Sequence, residues 1–164
     1  MKSTIAGQID TNASANPDGI WLMSPDTGQT LTWQEVAHGA HEIACHLYGL
    51  GLQSGASVAV AAHNSIGSSL TFVGITYGGF LATPLNLVAG VKVLSYVIGH
   101  SGVTVILVSD DCRALIEDAI SCVDRSITLI RLDTASGPEW PTDAETRRPA
   151  RIPRHHRRMS AQTP

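Results

Sequence analysis

The sequence predicts an α/β domain: a partial, largely parallel β-sheet with helices packed on its faces. Three observations point to it. Short apolar runs without polar alternation recur along the chain, as strands covered on both faces require. Between them lie segments whose apolar residues return every 3.6 positions, the helical period. The core has to be aliphatic, because hydrophobic residues make up 43% of the chain and aromatic ones only 5%. Strand, helix and strand in alternation is the rhythm of parallel strands joined by crossover helices.

The elements follow in order. Residues 1–18 are polar and turn-rich and read as a flexible lead-in. Gly19 to Met23 is a short apolar run closed by SPDTGQT, after which Leu31 resumes, so a hairpin is expected. From Thr32, TWQE has the capping-box form, and Val36, Ala40, Ile43 and Leu47 then mark one face of a helix that Gly49 and Gly51 terminate. Ser57 to Ala62 is a strand. Ile66, Leu70, Val73, Tyr77 and Leu81 define a second helix, in which Gly74, Gly78 and Gly79 leave room for a neighbour. Ala82 to Leu85 is a brief strand, and Val91, Leu94, Val97 and Ile98 a short helix before Gly99 and Gly102. Val103 to Val108 is the most strongly β-branched strand, with Asp110 or Asp111 placed to cap the helix after it. Ile127 to Leu132 supplies another strand, beyond which periodicity stops. The expected organisation is therefore a domain over 19–132 and a disordered Arg/Pro-rich tail over 133–164.

At 164 residues the chain has mass for one core. Its charge is unevenly placed: residues 1–146 carry 5 basic and 14 acidic side chains, whereas 147–164 carry six arginines and no acid. The tail, RRPARIPRHHRRMSAQTP, has the composition that a GC-rich gene yields when read out of frame, and a frameshift is the expectation for it. The cysteines, Cys45, Cys112 and Cys122, are odd in number and form no CxxC pair, which implies neither a disulfide framework nor a zinc ribbon. With no leader-like opening, a reduced cytoplasmic setting is the default. The run from Ile43 to Val91 lacks any Asp, Glu, Lys or Arg, yet its most apolar part stops at Pro84, short of the roughly 20 residues a membrane span needs.

Taken in order, LTWQEVAHGAHEIACHLYGLGLQSGASVAVAAHN, ITYGGFLATPLN and KVLSYVIGHSGVTVILVSDD resemble the start of the large domain of AMP-forming acyl-CoA synthetases, the adenylate-forming enzymes. The resemblance spans residues 19–132 and rests on the order and spacing of the pieces, Pro84, Leu85 and Asn86 among them. It implies a family reaction in which a carboxylate and ATP give an acyl-adenylate and pyrophosphate, and coenzyme A then takes the acyl group. ATP, magnesium and coenzyme A serve the intact enzymes. That chemistry uses a Ser/Thr/Gly-rich loop followed by lysine to hold phosphates, motifs for adenine and ribose, and a C-terminal domain with a catalytic lysine. The nearest string here, TASGPEW at 134–140, has no lysine. No catalytic, cofactor-binding or metal-binding residue is thus carried over. The expectation is a truncated ligase fragment, inactive alone and needing no cofactor, that self-associates or meets a chain supplying the missing half.

Other signals have plainer explanations. His38, His41 and Cys45 share a helical stripe, and HEIAC approaches the HExxH zinc helix, but Cys45 replaces the second histidine and one helix cannot surround an ion. GLGLQSG at 49–55 follows a helix and precedes a strand, the reverse of a dinucleotide loop. Asp110 and Asp111 stand after a strand, where α/β proteins bind ligands, although helix capping accounts for them. No GxSxG elbow is present. Two alternatives remain open: a small α/β ligand-binding or regulatory module acting with a partner chain, and an Arg-tailed nucleic-acid binder, whose tail lacks interleaved aromatics.

Overall fold

The computed structural model describes residues 4–141. The lead-in expected to be flexible holds helix α1 (Ile5–Ala15), which Thr4 caps by accepting from the Gly7 amide at 3.0 Å. Only Ile9 of this helix is buried. A helix this short gains its stability from docking, and here Asp10 accepts a 2.8 Å hydrogen bond from the Tyr77 hydroxyl. With a single core residue, its periodicity was too faint to read.

Strands β1 (Ile20–Met23) and β2 (Thr30–Thr32) form the expected antiparallel hairpin. Helix α2 (Trp33–Gly49) opens on a reciprocal cap. The Thr32 hydroxyl accepts from the Glu35 amide at 3.2 Å, and the Glu35 carboxylate accepts from the Thr32 amide at 2.8 Å. Val36, Ala40, Ile43 and Leu47 are all buried.

The main sheet contains β3 (Ser57–Ala61), β4 (Leu81–Pro84), β5 (Val105–Val108), β6 (Thr128–Asp133) and β7 (Gly137–Glu139). Their order is β4-β3-β5-β6-β7, parallel except for β7. Three helices make the crossovers: α3 (Ile66–Tyr77), α4 (Gly90–His100) and α5 (Asp110–Ile120). Because side chains alternate along a strand, Val58, Val60, Val105, Leu107, Ile130 and Leu132 pack into the core under α1, α2 and α3. Ala59, Ala61, Ile106 and Val108 face a second core with Leu94, Ile98, Cys112 and Ile116 of α4 and α5. Both faces are apolar, which is why these strands read as unbroken runs.

Two boundaries differ from expectation. Leu81 is not on α3; the helix ends at Tyr77, Gly79 takes φ 79° behind it, and Leu81 starts the edge strand β4. The ordered chain also continues past residue 132, through β7 to Trp140, whose ring stacks on His46 of α2 at 4.6 Å. The Arg-rich stretch lies outside the described residues. No described helix is long and apolar enough to cross a membrane.

Candidate functional site

Strand β3 pairs with β4 on one side and β5 on the other. The chain leaves β3 through α3 over one face and enters β5 from α4 on the other, so the loops after β3 and β5 diverge. In open α/β sheets such a switch in strand order is where ligands bind, beyond the carboxyl ends of the strands. The two loops are tied together where the Ser109 amide donates to the Ala61 carbonyl at 3.0 Å.

Three side chains converge there. His63 comes from the loop after β3, and Asp111 and Cys112 from the first turn of α5. His63 Nε2 is 3.5 Å from Asp111 Oδ2, and one ligand atom from each of the three residues lies within 4.8 Å of the others. Cys112 forms the buried floor, while His63 and Asp111 form an exposed rim. The other carboxylate oxygen of Asp111 accepts from the Ser109 hydroxyl, which fixes the side chain and holds its carboxyl below the usual range. Burial pushes the Cys112 thiol up.

Asp110 and Asp111 do not cap α5 as expected. Ser109 is the N-cap residue, and both aspartates lie within the first turn, where the helix dipole favours them. Asp110 instead binds Arg131 of β6 in two-pronged fashion, Nε to Oδ1 at 2.9 Å and Nη2 to Oδ2 at 2.7 Å. Arg131 Nη1 also donates to Glu139 of β7. The Arg131 hydrogen bonds hold the Asp110 carboxyl low and keep the guanidinium charged. Arg131 is therefore committed to joining α5, β6 and β7.

The TASGPEW string makes the turn after β6 and then forms β7, ending at Trp140. Its amides already have a carboxylate: Asp133 Oδ1 accepts from the Ala135 amide at 3.0 Å, the Ser136 amide at 2.8 Å and the Ser136 hydroxyl at 2.8 Å. These bonds, the Ser136 hydroxyl first, hold the Asp133 carboxyl below its ordinary value. The turn is clamped to α3, where the Gly67 amide donates to the Thr134 carbonyl at 2.9 Å.

The His38, His41 and Cys45 stripe is not assembled into a ligand set. His38 pairs with Glu42 at 3.5 Å, His41 Nε2 contacts Cys45 Sγ at 3.5 Å, and Cys45 is buried with its thiol pushed up by desolvation. GLGLQSG ends α2 and leads into β3, with Gly51 and Gly55 at positive φ. Sequence reasoning missed the grouping of His63 with Asp111 and Cys112, because they are far apart in the chain. The usable signal was positional: His63 and Asp111 each follow an apolar run, SVAVAA or VTVILV, and those runs pair in parallel.

Comparison with known proteins bears on the fold and the family. Sulfoacetate–CoA ligase of Cupriavidus necator is 28% identical over 148 residues, which cover 89% of this chain and 29% of that protein. The uncharacterized protein Rv1549 of Mycobacterium tuberculosis is 27% identical over 105 residues, 64% of this chain and 60% of its own length. Among solved structures, the N-terminal domain of FACL13 from Mycobacterium tuberculosis superposes with a TM-score of 0.71 at 23% identity, covering 81% of this chain and 34% of that one. A benzoate CoA ligase from Burkholderia xenovorans gives a TM-score of 0.72 at 18% identity, over 82% of this chain and 27% of that one. At such identities the structures show a shared fold, and the chain spans less than two thirds of each of these relatives. The family model described as AMP-binding enzyme matches residues 9–163, a span that includes the arginine-rich stretch; by that match and by its fold, the chain belongs to the AMP-binding enzyme family.

Proposed function

We propose that the chain is a partial acyl-CoA ligase-type domain that does not activate a carboxylic acid unless the rest of such a domain is supplied. In the intact relatives the reaction joins a carboxylate, ATP and coenzyme A into acyl-CoA, AMP and pyrophosphate. The observation that carries the reading is the occupied turn at 133–137. Backbone amides that face outward from a Ser/Gly turn are suited to phosphate, but here Asp133 fills them with the chain's own carboxylate. Arg131 nearby is held by Asp110 and Glu139. A polyphosphate approaching this edge would meet carboxylates at Asp110 and Asp133. In this reading the described residues supply no ATP, magnesium or coenzyme A site of their own. A second copy, or a chain bearing the remaining part of the domain, is its partner in this reading, and the free thiols of Cys45, Cys112 and Cys122 suit a reducing cytoplasm.

The test is ATP–pyrophosphate exchange by the purified chain with magnesium and a panel of short and long carboxylic acids. Exchange at the background rate is expected. Exchange above background with any acid would overturn the proposal.

A further inference from the structure

We propose that His63, Asp111 and Cys112 form a binding site for a zinc-class transition-metal ion beyond the carboxyl ends of β3 and β5. The donor set is one nitrogen, one carboxylate oxygen and one sulfur, a mixture suited to zinc and cobalt and foreign to magnesium, which takes oxygen ligands.

The geometry is close to what an ion requires. Zinc bonds of about 2.0 to 2.3 Å arranged tetrahedrally place neighbouring donor atoms roughly 3.3 to 3.6 Å apart. His63 Nε2 and Asp111 Oδ2 already stand at 3.5 Å. The thiol lies within 4.8 Å of both, and the exposed His63 side chain is the donor with most freedom to adjust toward a shared ion. Cys112 is fixed in the core beneath α5 and sets where the ion sits. Asp111 is oriented from behind by the Ser109 hydroxyl, the kind of outer contact that metal-binding carboxylates use. The loops bearing the donors are joined by the Ser109 to Ala61 backbone bond, so the site is largely formed before an ion arrives.

Charge also balances. A thiolate and a carboxylate supply two negative charges to a divalent ion, whose own charge offsets the burial that otherwise keeps the Cys112 thiol protonated. As the sulfur–metal bond forms, the S–H bond of Cys112 breaks and its proton passes to solvent. Three protein donors leave one position open toward water. The inference concerns a different part of the sheet edge from the Asp133 turn and stands independently of whether the chain adenylates acids.

The experiment is a titration of the full chain with cobalt(II) under reducing, oxygen-free conditions, followed by absorption spectroscopy. The expected result is a one-to-one saturable spectrum with a sulfur-to-cobalt charge-transfer band and the strong visible bands of four-coordinate cobalt, lost when zinc is added. His63→Gln changes an exposed side chain and should weaken cobalt binding at least about 10-fold while the fold is retained. Cys112→Ser should remove the charge-transfer band, and Cys45→Ser and Cys122→Ser should leave it. Absence of a charge-transfer band, a spectrum indifferent to His63→Gln, or one abolished by Cys45→Ser or Cys122→Ser would each overturn the assignment.

Discussion

Gly67 occupies a position where only hydrogen fits. A Cβ there would stand 2.2 Å from the Asp133 carbonyl oxygen and 2.9 Å from the Gly137 amide nitrogen, and backbone atoms cannot turn aside. Gly67→Ala is therefore expected to cost about 3 kcal/mol, the upper part of the range for overpacking, and to dislodge the β6–β7 turn. Urea denaturation followed by circular dichroism measures it; a loss below about 1 kcal/mol would show that the turn yields. Gly74 is tight for a different reason, with Ile43 side-chain atoms 2.6 to 2.8 Å from its would-be Cβ. Tyr48 provides a polar counterpart. Its buried hydroxyl donates to the Gly78 carbonyl at 2.8 Å, across the α2–α3 contact. Tyr48→Phe leaves that carbonyl short of a donor and should cost about 1 to 2 kcal/mol with little change in packing. Equal urea midpoints for Tyr48→Phe and the parent chain would contradict it.

Elements carry their own chemistry at their ends, and α2 depends on one carboxylate. Hydrogen bonds from Thr32, that of its amide foremost, lower the Glu35 pKa from its ordinary 4.5. A carboxyl with a lower pKa folded than unfolded adds stability above the unfolded value and loses it as the pH falls through the folded one. The chain should accordingly lose stability below about pH 4.5, and Glu35→Gln should flatten that part of the curve, as thermal melts across an acid series would reveal. An unchanged acid limb in the variant would remove Glu35 from the account. This cap was legible in TWQE because both partners sit within four residues. So were the helical face from Val36 to Leu47 and the runs SVAVAA and VTVILV, where burial imposes a regular pattern. Helix α1 was not legible, since one buried residue sets no period. Nor was β7, a three-residue strand held by Arg131 and by its pairing with β6. The His63, Asp111 and Cys112 grouping was beyond local reading for another reason: parallel pairing brings loop ends together that no spacing rule connects.

At the level of the whole molecule the sheet has two unlike edges. Proline stands in each, Pro84 in β4 and Pro138 in β7, and its missing amide weakens pairing with a further strand. Apolar side chains nevertheless remain outside, Leu81 at 59% exposure, Val88 at 90% and Tyr96 at 64%. Exposed apolar groups near an open sheet edge favour association between copies when the edge is not otherwise covered. Concentration-dependent association is expected, with sedimentation velocity showing larger species as concentration rises and Leu81→Lys reducing them. A single monomeric boundary at all concentrations would count against it. The place of β3 between β4 and β5 has a further consequence, in time instead of space. This strand meets β4 after one intervening helix and β5 only after two, so it cannot complete its pairing until most of the chain has been gathered. Closing the longer loop costs only about 0.6 kcal/mol more per doubling of its length. Entropy of closure barely discriminates between the two pairings, and the order of events falls to the side chains. The valines of β3 press against α2 and α3, whereas its alanines offer α4 and α5 little surface. Substitutions at Val58 should therefore slow folding, whereas those at Ile116 should chiefly hasten unfolding, making β3 with α2 and α3 the early nucleus and the α4–α5 layer the late arrival.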